Sequence, residues 1–511
     1  MHPREWSGDL TTVDQALTSL PPVAPPDVPT RFATRGFARE ATIYNATQIL
    51  GLAATFAWGV VLANQLGPTD YGRYATVAAF AAVCGTLLDF GFELIIVRDV
   101  ARNQSVASEY MASSLWLRAI AAAAVCCLAA GCAALIGFDR RIVWLILLFY
   151  VSTSVNSFAA LAGNFLQAVG LFGVVGGVTG ARAVGILVVG AGMLRIGYKI
   201  PGILVMYAVG ATAAALILWV VVRARVGSPA PKVDRSLSRR LVIESTPVGF
   251  AALFSVLLAR VDKIALARFV SLQALGWYNA AFILIQGGMD ATWTSFNKLS
   301  YPILSRASRD AKTLIATTRL MLIAAAALFI PVAAVAAILS RDVTHLLFRR
   351  PEMANVSIAI SILSWTIPIT IFWAILRNVQ LVSGRQIAYA AQTGFGVIVN
   401  VAALAVTIPL LGWTGAGVSA VGTQAMLLYL AYRDTIRTYP RIWPTGDIAL
   451  IVVICAAMVL VAAYFDRRGL PWWSAAVIAL LAYAGLLGAY WRWRRHAICP
   501  AGQFANLASD A

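Results

Sequence analysis

Nine ionisable side chains, Asp89, Glu93, Arg118, Arg182, Arg260, Asp262, Lys263, Asp290 and Arg377, stand inside stretches that are otherwise almost wholly apolar. A charge near the centre of a bilayer costs at least ~2.5–3.5 kcal/mol on the insertion scale, so it persists where it faces a wet lumen or a partner. Depth therefore ranks them. Arg182 is near the midpoint of the apolar window 172–194 and Asp290 near that of 279–302, both too deep to reach an interface. Asn279, Gln286, Asp290, Trp293, Asn297 and Tyr301 recur at spacings of seven, four, three, four and four, which places them along one helical face. Amides, a carboxylate and aromatic rings on one wall suit a hydroxyl-rich sugar in a wet cavity. They also suit a polar seam between packed helices, at ~0.6 kcal/mol for each interhelical hydrogen bond.

Arg260 and Lys263 are three residues apart and share a face, while Asp262 is turned about 200° from Arg260 by the helical step. A guanidinium beside an ammonium suits a diphosphate, whose oxygens match paired donors. The alternative is snorkelling toward the near surface. Asp89 and Glu93, four apart, are expected on one face near a membrane end, where like charges repel unless a cation joins them. That cation is a proton or sodium ion in a coupled exchanger, for which Asp262 and Asp290 are further candidates, or it is Arg98, Arg118 or Arg377 in a structural pair. Arg118 and Arg377, close to the same end, either snorkel or receive the phosphates of an arriving lipid.

Catalytic and metal chemistry find little support. The histidines are His2, His345 and His496, with no ligand or nucleophile constellation around them, and there is no Gly-Lys-Ser/Thr phosphate loop. GVVGGVTGAR, with Gly173, Gly177 and Gly180, lies in an apolar window and reads as a close helix-packing surface. The six cysteines lack disulfide or zinc spacing and read as thiols, five of them inside apolar windows.

The elements that position these residues follow from composition. Of 511 residues, 60% are apolar and 12% charged, against roughly 25% charged in a soluble domain. Windows long enough to cross a ~30 Å hydrocarbon core recur at 42–64, 73–97, 112–136, 142–168, 172–194 and 201–222, then at 243–266, 279–302, 315–338, 356–382, 386–410 and 413–432, and finally at 447–465 and 471–491. Helices are the expected spanning element because lipid offers no partner to exposed backbone. The predicted fold is an all-α integral membrane protein of about fourteen transmembrane helices: two parallel six-helix repeats and two C-terminal helices. Its parts are a proline-rich disordered tail (1–40), a first bundle (41–222), a basic linker (223–240), a second bundle (241–435), the extra helix pair (445–492) and a C-terminal tail (493–511).

The net charge of +18 reflects sidedness rather than a nucleic-acid partner. Placing both termini in the cytoplasm gathers Arg31, Arg35, Arg39, the six bases of the linker, Arg306, Arg309, Lys312, Arg319, Arg433, Arg437 and Arg441 on that side. The other side is left chiefly with Arg140, Arg141, Arg195, Lys199, Arg341, Arg349, Arg350, Arg467 and Arg468. The chain also repeats. A shift of 204 residues lays Gly72 on Gly276 and Tyr74 on Tyr278, and after about ten more, Gly170 faces Gly384 and Gly197 faces Gly412. Six helices followed by six of the same orientation make a parallel repeat about an axis along the membrane normal.

ANQLGPTDYGRYATVAAFAAVCGTLLDFGFELIIVRDVAR, LLARVDKIALARFVSLQALGWYNAA and LVSGRQIAYAAQTGFGVIVNVAALAVTIPLLGWTGAGVSAVGT resemble bacterial polysaccharide-export flippases of the Wzx type, in the same superfamily as MATE exporters and peptidoglycan lipid flippases. The resemblance implies two helix bundles opening alternately to either side of the inner membrane. They would move an undecaprenyl-diphosphate-linked oligosaccharide outward for exopolysaccharide or O-antigen assembly, alongside a polysaccharide polymerase and export machinery and with a proton or sodium ion as the coupling ion. On that reading Arg118, Arg182, Arg260, Lys263 and Arg377 attract the diphosphate, and Gln286, Asp290, Trp293 and Asn297 accommodate sugar. A MATE-like ion-coupled exporter of small molecules is the first rival. A membrane glycosyltransferase or polymerase is the second, and the short external connectors, the longest about 341–355, count against it.

Overall fold

The computed structural model describes residues 35–467 and 472–498. The expected tails therefore lie outside the described residues, except that helix already begins at Arg35 and persists to Ile498. Within α8, the side chains of residues 288 and 290–299 are also outside the description. The helices are α1 (Arg35–Asp89), α2 (Phe92–Arg102), α3 (Ala107–Ile136), α4 (Arg140–Ala168), α5 (Phe172–Arg195), α6 (Ile200–Arg225), α7 (Arg235–Phe269), α8 (Leu272–Ala307), α9 (Ala311–Ile338), α10 (Ser340–Leu347), α11 (Val356–Leu363), α12 (Thr366–Val382), α13 (Gln386–Leu411), α14 (Thr414–Thr438), α15 (Thr445–Arg467) and α16 (Trp472–Ile498). Among the described residues, nine helical stretches are long and apolar enough to span a membrane, with shorter apolar helices besides. One of the nine, Thr42–Arg102, holds two passes, so this is a multi-pass membrane protein.

The two passes join at Gly67, whose φ of 73° and ψ of 170° reverse the chain just before Pro68. Proline has no N–H to lose and a preset φ, so it begins the second pass without cost. A further break lies at Phe90 and Gly91, with φ of 32° and 78°. This corrects the expectation of one helix over 73–97: Asp89 ends α1 and Glu93 is in the first turn of α2, and two left-handed residues between them remove the common face that a four-residue spacing implies. The basic linker is also shorter than 223–240, since α6 runs to Arg225 and α7 starts at Arg235. Asp234 and Asp310 cap α7 and α9. Asp310 accepts from the Thr313 amide and hydroxyl, and these donors hold its carboxyl below the usual range.

The repeat is visible in the backbone. Gly170 and Gly384 both end helices in left-handed turns (φ 85° and 74°), as do Gly197 and Gly412 (95° and 61°). The halves are α1–α6 and α7–α14. The pair α15–α16 packs on α9, where Tyr483 Oη donates to the Ala327 carbonyl at 2.7 Å. Tyr490 Oη donates to Asp447 at 2.6 Å within the pair. We call the ends of the molecule the basic end, near Arg98, Arg240 and Arg319, and the far end, near Gly72, Gly137 and Arg350.

At the far end the halves share one core, in which Trp58, Leu62, Tyr71 and Ile203 of the first half pack with Leu266, Tyr278, Phe348 and Leu404 of the second. Its centre is a backbone contact between repeat equivalents. A Cβ on Gly72 would overlap the Leu272 carbonyl oxygen and sit 3.0 Å from the Gly276 nitrogen, and one on Gly276 would overlap the Pro68 carbonyl. No side chain fits without parting α1 from α8. Gly72→Val and Gly276→Val are therefore expected to lower thermal stability in detergent by at least the ~1–3 kcal/mol of an overpacked core. Gly131→Ala, facing open space on α3, is expected to leave it unchanged or raise it. Equal melting temperatures for all three would contradict this contact.

Candidate functional site

The second half encloses a cavity of about 340 Å³ between α7, α8 and α11–α14. It brings together three residues singled out from the sequence, Asp262, Gln286 and Arg377. The Arg377 guanidinium lies 5.6 Å from the Trp373 ring and 5.7 Å from the Tyr389 ring. It is held inside the bundle rather than snorkelling, by contacts that strengthen when water is excluded. Asp262 is buried, with Tyr278 Oη and, at 2.8 Å, the Lys263 amide donating to its carboxylate.

Phe282, also on the cavity wall, receives both cations of α7. Lys263 Nζ stands 3.4 Å from its ring centroid and Arg260 Cζ 5.8 Å. The two cations thus share a face as the spacing requires, but Lys263 is 1% exposed. It neither snorkels nor presents its ammonium to a ligand in this conformation. Asn279 of the α8 stripe is buried, while Asp290, Trp293 and Asn297 fall among the side chains outside the description.

The remaining wall was legible and overlooked. Thr366, Thr370, Trp373 and Arg377 repeat at four, three and four, the same one-face signature as the α8 stripe. They line the cavity together with Tyr389, Thr393 and Asn400 of α13 and Gln424 of α14. Asn400 is fixed by Ser419 Oγ and Thr423 Oγ1, which donate to its Oδ1 at 2.9 and 3.3 Å.

Other candidates lie elsewhere. Arg182 donates to Asn156 of α4 and edges a 400 Å³ apolar groove between α5 and α6. Arg118 is 1% exposed. Its guanidinium pairs with Asp89 at 2.8 Å and donates to the Ser157 hydroxyl and carbonyl, so it is neither a snorkelling side chain nor a surface receiver of phosphate. Glu93 is exposed, and the contact of the Arg118 guanidinium is with Asp89. Of the three structural partners considered for Asp89, the fold uses Arg118; Arg98 goes instead to Asp99 and Glu244.

The two ends join the halves differently. At the far end, arginines of the second half satisfy carbonyls that end helices of the first. Arg350 donates to Asn64 and Gln65 at 2.6 and 2.9 Å, and Arg268 to Ile136 at 2.7 Å; a helix C-terminus leaves such acceptors open and favours a cation. Asn64 also binds the Leu347 carbonyl and the Arg349 amide, at 2.7 and 2.9 Å. At the basic end, α2 meets α7 through ion pairs of Arg98 with Glu244 (2.8 Å) and Arg240 with Asp99 (3.3 Å), with Phe90 edge-on to Phe250.

Residues 37–308 match the profile of the family described as polysaccharide biosynthesis protein, more than half of the chain. The chain belongs to that family. No curated protein matches it in sequence. Among solved structures, the fold is similar to the lipid II flippase MurJ in an inward closed conformation, at 11% identity and TM-score 0.73 over 88% of this chain and 99% of that one. It is also similar to a multidrug resistance MATE transporter of the MOP superfamily in its inward-facing form (15% identity, TM-score 0.60, 80% and 95% covered). The outward-facing MATE form superposes at TM-score 0.52 and 14% identity, with 79% and 95% covered. These solved neighbours are a flippase and multidrug transporters.

Removing Asp89 strands the buried Arg118 charge, whereas removing both partners does not. Asp89→Leu is expected to destabilise more than Asp89→Leu with Arg118→Met. The single change should cost somewhat less than the ~3–5 kcal/mol typical of a broken buried pair, because Asp89 is 46% exposed. Thermal unfolding of both variants checks it, and a double variant weaker than the single one would refute the pairing.

Proposed function

We propose that this chain flips an undecaprenyl-diphosphate-linked oligosaccharide from the cytoplasmic to the outer face of the inner membrane, by rocking its two halves. The observation that carries the reading is the cavity of the second half: an arginine, amides, hydroxyls and aromatic rings gathered where the surrounding helices are apolar. Lipid gives no reason to bury such groups, but a polar cargo crossing the bilayer does. The family and the two-half transporter fold support it.

The closures assign an order. The basic end is joined by ion pairs that contribute about 0–1 kcal/mol each and weaken with salt, and by Leu237 and Leu241 of α7 packed into the apolar core of the first half. The far end combines a shared apolar core, interlocked backbones and capped helix ends. On this reading the basic end opens first and, with both termini, is cytoplasmic, in keeping with the charge asymmetry. On the same reading Asp262 is the carboxylate that takes a coupling proton or sodium ion, and the outward product would go to a polysaccharide polymerase.

Two measurements in vesicles carrying the lipid-linked oligosaccharide test this. Arg377→Ala, Arg182→Ala and Asp290→Ala are each expected to slow translocation about tenfold or more, the loss of one interaction of ~1.4 kcal/mol; a variant at the wild-type rate removes its residue from the path. Bridging Asn64→Cys to Arg350→Cys with a short thiol cross-linker should abolish translocation, with recovery on cleaving the cross-link. Continued flipping by the bridged protein would show that the far end does not open.

A further inference from the structure

We infer that the cavity of the second half is a subsite for one sugar ring of the cargo, read by the Trp373 indole N–H and the Gln424 side-chain carbonyl; the inference rests on the flippase reading. Both atoms are buried and have no hydrogen-bond partner in the structure, and both residues line this one cavity. A buried donor or acceptor left open costs ~1–3 kcal/mol, and folds retain such groups where a ligand or ordered water completes them.

The hydrogen-bond pattern of the wall narrows the occupant. The hydroxyls of Thr366, Thr393 and Thr423 already donate, to the Leu363 carbonyl (2.6 Å), the Tyr389 carbonyl (3.0 Å) and Asn400 Oδ1 (3.3 Å). Their remaining capacity is to accept. With the Gln424 carbonyl these hydroxyls bring acceptors to the wall, and the side chains of Trp373, Gln286 and Arg377 bring donors. An occupant must bring several O–H donors and at least one acceptor, the inventory of a pyranose. Rings of Tyr278, Phe282, Trp373 and Tyr389 supply apolar surface for the C–H face of a sugar, which a cluster of waters would not use. The volume lies within the ~300–1,000 Å³ of small-molecule sites.

The same helix sets the order of the ligand. Arg377 is four residues, about 6 Å along the axis, nearer the basic end of α12 than Trp373. A lipid-linked sugar entering from that end would leave its diphosphate at Arg377 and place its first ring beside Trp373.

The test measures binding by the full-length protein in nanodiscs to two probes. One is undecaprenyl diphosphate. The other is undecaprenyl diphosphate carrying a single neutral hexose or N-acetylhexosamine, drawn from a panel. Wild type should bind at least one sugar-bearing probe more tightly than the sugar-free lipid. Trp373→Phe, which keeps the ring and loses the donor, and Gln424→Leu should each weaken the preferred sugar probe about tenfold and leave the sugar-free lipid unchanged. If Gln424→Leu fails to fold, Thr370→Val at the same wall is expected to show the same split. Unchanged sugar-probe binding in the variants, or equal loss for both probes, overturns the subsite while leaving the flippase reading standing. Wild type that binds neither probe and flips no lipid-linked oligosaccharide in vesicles overturns both.

Discussion

The contact between the Gly72 and Gly276 backbones governs how this molecule is put together. Two long helices, each leading into its own half, approach until no side chain fits between them. Close approach of this kind is how membrane helices associate when lipid tails are as apolar as the side chains and burial gives little drive. Two residues further along, the equivalent tyrosines turn inward. Tyr74 meets Tyr207 at 3.0 Å in the first half, and Tyr278 donates to Asp262 in the second. A single contact thus fixes the far end of the interface and orients a polar residue into each half.

Charge has been sorted by task as well as by side. Arg350, one of the few bases expected on the outer surface, departs from the positive-inside pattern because its guanidinium finishes a helix of the opposite half. Arg118 persists in an apolar setting because Asp89 and Ser157 surround it. Arg118 looks from the sequence like a candidate for substrate contact, and Arg350 only like a base on the sparse side; partners distant in the chain give each its place in the architecture.

That difference explains what could be read in advance. The helices, the repeat and the cavity residues on α7, α8 and α12 follow from period, length and polarity, all local properties. The α12 stripe of Thr366, Thr370, Trp373 and Arg377 carried the same signal as the α8 stripe and needed only the same counting. The Phe90–Gly91 break was not visible, because the hydropathy runs on across it and the left-handed turn is stabilised by packing of Gly91 against Gly249 and Val248, distant in the chain. Nor was the Arg118–Asp89 pairing separable from its rivals, since choosing among three arginines needs the third dimension.

A residue on a pseudo-twofold axis touches its own counterpart, which gives the glycine pair an evolutionary meaning. If the chain arose by duplication of a six-helix ancestor that paired with itself, one ancestral glycine would have served both sides of the seam, and copying the gene would have preserved the fit without any new invention. Once duplicated, neither copy is at liberty to drift, because enlarging one cannot be offset by shrinking the other, already the smallest residue there is.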